Sequence, residues 1–171
     1  MLNEEEKSYW DCASRFERLS EKFIRENHDK VNWYWISQYQ MLNEEFIRDF
    51  SDKIDWVLIS KHQVLSPEFI REFSNKVNWL FISEYQHLNE EFIRDFSDKV
   101  NWQKVSRYQM LSEEFIIEFS DKIDWHTISL SQFLSEEFIR KFPALVSWKL
   151  IKHYQQLSPE FIKEFKLDLI K

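Results

Sequence analysis

The sequence predicts an all-α fold, an α-solenoid of two-helix repeats with a 23-residue period. Three observations predict it. A Leu-Ser/Asn-x-x-Phe-Ile segment recurs at Leu19, Leu42, Leu65, Leu88, Leu111, Leu134 and Leu157, 23 residues apart each time. A fixed period of that length marks stacked supersecondary units, each of which buries its apolar face only against its neighbours. Glycine is absent and proline occurs three times, which starves hairpin turns and leaves short helix-to-helix links as the natural connection. Hydrophobic residues make up 43% of the chain and charged residues 31%, a balance that favours a folded array over a disordered chain.

Six full units span residues 19–156, a half unit fills 157–171, and residues 1–18 read as a divergent N-terminal cap segment of one elongated domain. The first helix of each unit starts at a Ser or Asn cap: Ser20, Asn43, Ser66, Asn89, Ser112, Ser135 and Ser158. These residue types accept a backbone N–H that a helix start leaves free. Pro67 and Pro159 fall at the first helical position, and acids such as Glu44 and Glu45 fill the first turn, where the helix dipole favours them. Leu42, Phe46, Ile47 and Phe50 then form one apolar stripe, while Glu44 and Arg48, like Glu90 and Arg94, are spaced to pair on the outer face.

The second helix is predicted to start at Asn32, Asp55, Asn78, Asn101, Asp124 or Ser147 and to carry Trp, then Ile or Val, then usually Tyr. An earlier start, capped by Ser51 or Asp52, fits the same residues. Trp33, Trp56, Trp79, Trp102, Trp125 and Trp148 stand in register with the Phe-Ile pairs. Periodic aromatics at helical spacing read as core, with a cofactor- or base-stacking column as the sharper alternative. Gln40, Gln63, Gln86, Gln109, Gln132 and Gln155 are invariant between units while their neighbours change. That uniformity points to a partly buried amide that bonds backbone groups left free at helix ends.

The composition also narrows function. The five histidines, His28, His62, His87, His126 and His153, fall at five different repeat positions and offer no metal-ligand spacing. The single cysteine, Cys12, has no partner motif, and without glycine there is no phosphate-cradling loop or nucleophile elbow. No enzyme, cofactor or metal is therefore expected. The formal charge of −7 opposes a nucleic acid partner. No stretch reaches the roughly 18 apolar residues that a bilayer requires, and one unpaired cysteine fits a reducing, cytoplasmic setting.

Binding is the remaining class. The residues after each Trp change freely, and the expected partner-binding surface is Tyr34, Trp35, Val57, Leu58, Leu80, Phe81, Lys104, Arg107 and Lys149. A constant core with one variable face is how solenoids present recognition surfaces, and the apolar run over the first three units suits a protein partner. A homodimer, or packing on a lead-in that contains Tyr9, Trp10 and Phe16, would use the same residues. The alternative function is an acidic mimic of nucleic acid. It would use Glu44, Glu45, Asp49, Glu90, Glu91, Asp95, Glu113, Glu114 and Glu118, a stripe that Arg48, Lys53, Arg71 and Arg94 interrupt.

The unit Leu-Ser-Glu-Glu-Phe-Ile-Arg-Glu-Phe-Ser-Asp-Lys-Val-Asn-Trp-x-x-Ile-Ser-x-Tyr-Gln resembles the short degenerate helical repeats of proteins from large DNA viruses and phages. The resemblance covers residues 19–171 and carries no catalytic residue. It implies an accessory role in the cytoplasm of an infected cell, such as binding and blocking a host protein.

Overall fold

The computed structural model describes residues 3–170 and is all-helical, with no strand among them. Helix α1 (Glu4–Phe16) is followed by alternating short helices. The first helices of the repeats are α2 (Glu21–Glu26), α4 (Glu44–Asp49), α6 (Pro67–Glu72), α8 (Glu90–Asp95), α10 (Glu113–Glu118), α12 (Glu136–Lys141) and α14 (Pro159–Glu164). The second helices are α3 (Trp33–Tyr39), α5 (Trp56–His62), α7 (Trp79–Tyr85), α9 (Trp102–Tyr108), α11 (Trp125–Ser131) and α13 (Trp148–Tyr154), and a 3-10 turn covers Leu167–Leu169. The chain divides into two compact units, one ending at Gln86 and the other beginning at His87.

Each first helix is capped as its sequence predicts. The side chains of Ser20, Asn43, Ser66, Asn89, Ser112, Ser135 and Ser158 all accept the N–H of the Phe three residues on. Of the two starts open for the second helix, the structure takes the later. Asp55 caps Val57 and Leu58, and the preceding residues form a turn in which the N–H groups of Lys53 and Ile54 donate to the Phe50 carbonyl. Ser147 occupies the cap position of α13 but makes no side-chain cap bond.

Helices of six or seven residues do not hold themselves together in water, where isolated helices shorter than about 12–15 residues are marginal. Packing between repeats supplies the difference. In the first unit Phe46, Ile47, Ile59 and Phe69 lose all contact with solvent, as do Phe115, Ile116, Ile128 and Ile139 in the second. Second helices of successive repeats lie directly on one another, α1 on α3, α3 on α5 and α5 on α7, then α9 on α11 and α11 on α13. Helix α1 takes part as a second helix one repeat earlier. Trp10 meets Phe23 as Trp33 meets Phe46, and Ser14 stands where Ser37 stands 23 residues on.

Three polar columns tie one repeat to the next. The Gln63 amide accepts from Leu42 N–H and donates to the carbonyls of Ser37 and Gln40, which the end of α3 leaves free. Gln132 does the same for Leu111, Ser106 and Gln109. A serine column adds a second tie: the Ser37 hydroxyl donates to the Trp33 carbonyl and accepts the N–H of Asp55, the next cap residue. Ser60 repeats this toward Asn78, and Ser106 toward Asp124. Each such bond contributes on the order of 1 kcal/mol, and leaving a buried partner empty costs more.

Candidate functional site

The third column is made of the acids at the helix starts. Glu44 accepts the backbone N–H of Ser66, Glu90 that of Ser112, Glu113 that of Ser135 and Glu136 that of Ser158. Donation from Ser158, first from its N–H and then from its hydroxyl, holds the Glu136 carboxyl below its ordinary pKa. These carboxylates are half-buried ties between repeats. In the acidic stripe only Glu45, Glu91 and Glu114 are exposed acids outside that pattern, since Asp49 pairs with Arg25 and Glu118 with Arg94.

The arginines of the first helices form a matching ladder. Arg25 reaches Asp49 at 2.6 Å, Arg48 reaches Glu72 at 2.8 Å, Arg94 reaches Glu118 at 2.8 Å and Arg140 reaches Glu164 at 2.9 Å. The expected Glu90–Arg94 pair within one helix is longer, at 3.6 Å. Hydrogen bonding to Glu118 raises the Arg94 pKa, and bonding to Glu164 raises that of Arg140. Each guanidinium also covers a core ring of the next repeat, Arg48 over Phe69 and Arg94 over Phe115. The first-helix face is thus committed to the stack.

The tryptophan column is structural as well. The indole N–H of Trp56 donates to the Ser51 carbonyl and that of Trp102 to Ser97, each five residues back. One ring face packs on Phe, with Trp102 4.9 Å from Phe119, and the ammonium of Lys122 from the next repeat lies 5.7 Å from the Trp102 ring. No open ring face is left for a cofactor or a base at this position. No group of three or more His, Cys, Asp or Glu side chains among the described residues could hold a metal ion.

No family model, curated protein or solved structure matches the chain.

What remains uncommitted is the outer face of the second helices. Tyr34, Val57 and Leu80, each the residue after the Trp, are 48%, 46% and 41% exposed. Trp35, Leu58 and Phe81, one residue further, are half-buried between neighbouring second helices. Trp35 stacks on Tyr39 and lies 4.6 Å from the Arg15 guanidinium, while the Lys61 ammonium covers Phe81. In the second unit Arg107 and Lys149 are exposed and Lys104 is half-buried over Tyr108. Of the lead-in aromatics, Tyr9 and Phe16 remain largely exposed and Trp10 packs on Phe23. Partial burial beside Lys61 lowers the His62 pKa, the burial being the larger cause.

One apolar column escapes the sequence reading. Met41 and Val64 in the first unit, and Met110 and Phe133 in the second, are 81–92% exposed in the extended links between helices. They line open clefts, Met41 with Phe16 and Tyr39, and Phe133 with Glu113 and Gln155. The signal was their variability inside the constant Gln-x-Leu step. No helix of the described residues is long and apolar enough to cross a membrane.

Proposed function

We propose that this protein is a non-enzymatic binding scaffold that engages a protein partner through the outward face of its second helices. One observation carries the reading. The columns that stay constant between repeats, Gln, Ser, Trp and the first acid, are consumed by bonds within the stack, whereas Tyr34, Val57 and Leu80 vary, are exposed and tie nothing. Exposed apolar residues at successive repeats form a contiguous patch of the kind that protein interfaces use. Blocking a host protein is the role that the likeness to viral and phage repeats supports. The acidic-mimic reading is the weaker one, because Glu44, Glu90 and Glu113 are occupied by backbone donors.

Capture on the immobilised full chain, read by mass spectrometry, tests the proposal. Tyr34→Ser, Val57→Ser and Leu80→Ser together should reduce the retained partner more than tenfold with no change in helicity, since central apolar anchors commonly carry over about 2 kcal/mol. Glu45→Lys, Glu91→Lys and Glu114→Lys should leave it unchanged. The opposite ranking, with retention that falls steeply as salt rises, would falsify the scaffold reading in favour of the mimic.

A further inference from the structure

The second-helix face of the second unit differs in charge from the rest of the molecule. Helices α9, α11 and α13 have the sequences WQKVSRY, WHTISLS and WKLIKHY, without an Asp or Glu. Arg107 and Lys149 are exposed on it, and neither has a carboxylate partner among the described residues. In a chain of formal charge −7, whose first-helix arginines close on acids at 2.6–2.9 Å, two such cations are an exception. Beside them the same face carries half-buried Leu130 and Leu150 and exposed Tyr108 and Tyr154.

We infer that this face docks an acidic, amphipathic polypeptide segment, a deepening of the scaffold reading that rests on it. The carboxylates of such a segment complete the ion pairs that Arg107 and Lys149 lack, and its apolar side chains cover Leu130, Leu150 and the tyrosines. Arg107 and Lys149 belong to helices two repeats apart. At about 8–10 Å between packed helices they are separated by roughly 16–20 Å, which about six extended residues span. A nucleic acid fits less well, because the acid-rich helices α8, α10 and α12 flank the face and repel a long polyanion.

Fluorescence anisotropy with the full chain provides the test. The probes are a labelled twelve-residue peptide of alternating Glu and Leu, its Lys/Leu counterpart and a twelve-nucleotide oligodeoxythymidine. The Glu/Leu peptide should bind, at least tenfold more weakly to the Arg107→Glu, Lys149→Glu double variant and more weakly as salt rises, and the Lys/Leu peptide should not. Unaltered thermal unfolding of the variant shows that the fold is intact. Failure of the Glu/Leu peptide to bind, or equal binding to the variant, overturns the inference. So does tighter binding of the oligonucleotide, or salt-sensitive self-association through Lys149 in sedimentation equilibrium, which would make a second copy the occupant. A failure here leaves the capture result with Tyr34, Val57 and Leu80 standing, so the two readings fall separately.

Discussion

On the first helices Arg25, Arg48, Arg94 and Arg140 each close on a carboxylate one repeat later, while on the second helices Arg107 and Lys149 face solvent with no acid opposite. The two faces come from the same 23-residue units. The difference teaches that a charge's meaning in a repeat protein is set by whether its position has a counterpart in the next unit. A first-helix cation is met 24 residues on by an acid and becomes part of the stack. A second-helix cation is met by Gln, His or Leu and remains available.

The largest break in that comparison comes from the core beneath both faces. Phe115 is fully buried and its ring meets Trp102 and Phe119. Phe115→Ala should lower unfolding free energy by about 3–5 kcal/mol, whereas Lys149→Ala should stay within about 0.5 kcal/mol. Urea titration of the two variants checks this, and similar midpoints would mean that core and surface are misassigned.

A smaller effect tests the glutamine column. In Gln132→Glu the carboxylate keeps acceptance from Leu111 but loses donation to the carbonyls of Ser106 and Gln109. The loss should be about 2–4 kcal/mol at pH 7, since buried carbonyls are left beside a charge. Burial raises the folded-state pKa of the new carboxyl above its unfolded value of about 4.3. The folded state then binds the proton more tightly, so the deficit is smallest below the unfolded pKa and grows as pH rises through the folded one. Urea midpoints at pH 5 and pH 7, relative to the wild type, should converge at the lower pH. An equal deficit at both would place the side chain in water.

These columns differ in how plainly the sequence shows them. The Leu, Phe, Ile and Trp positions were legible because burial demands large apolar side chains at helical spacing, and the Gln column because an exposed amide has no cause to be uniform. Ser37, Ser60 and Ser106 were not, since a serine inside a helix looks neutral until its hydroxyl is seen to accept the next repeat's N–H. Glu44 and Glu90 read as dipole-favoured acids, and the dipole argument hides their second role as acceptors from Ser66 and Ser112. Helix α1 lacks the Leu and Phe-Ile markers and carries Glu17 at the Gln position, so its register showed only in Trp10 and Ser14. The variable face was legible as variation, but its division into exposed Tyr34, Val57 and Leu80 and half-buried Trp35, Leu58 and Phe81 required the packing of neighbouring helices.

The smallest expected effect concerns the one repeat where the first-helix ladder is broken. Ile117 stands at the arginine position, and 24 residues on, where Asp49, Glu72, Glu118 and Glu164 stand in other repeats, is Lys141. Both members of the pair have changed together. Lys141 turns instead to Glu137 of its own helix at 2.9 Å, which raises its pKa, and Ile117 lies 44% exposed. An arginine placed alone at 117 would face a like charge, and a glutamate placed alone at 141 would face an isoleucine. Ile117→Arg and Lys141→Glu together should therefore raise the melting temperature by about 1–2 °C, while Ile117→Arg alone should lower it or leave it unchanged. A double-mutant cycle by calorimetry at low salt isolates the coupling, which should shrink as salt rises. If the two changes simply add, the ladder arginines act through their cover of the core ring, as Arg94 covers Phe115, and the carboxylate opposite is incidental.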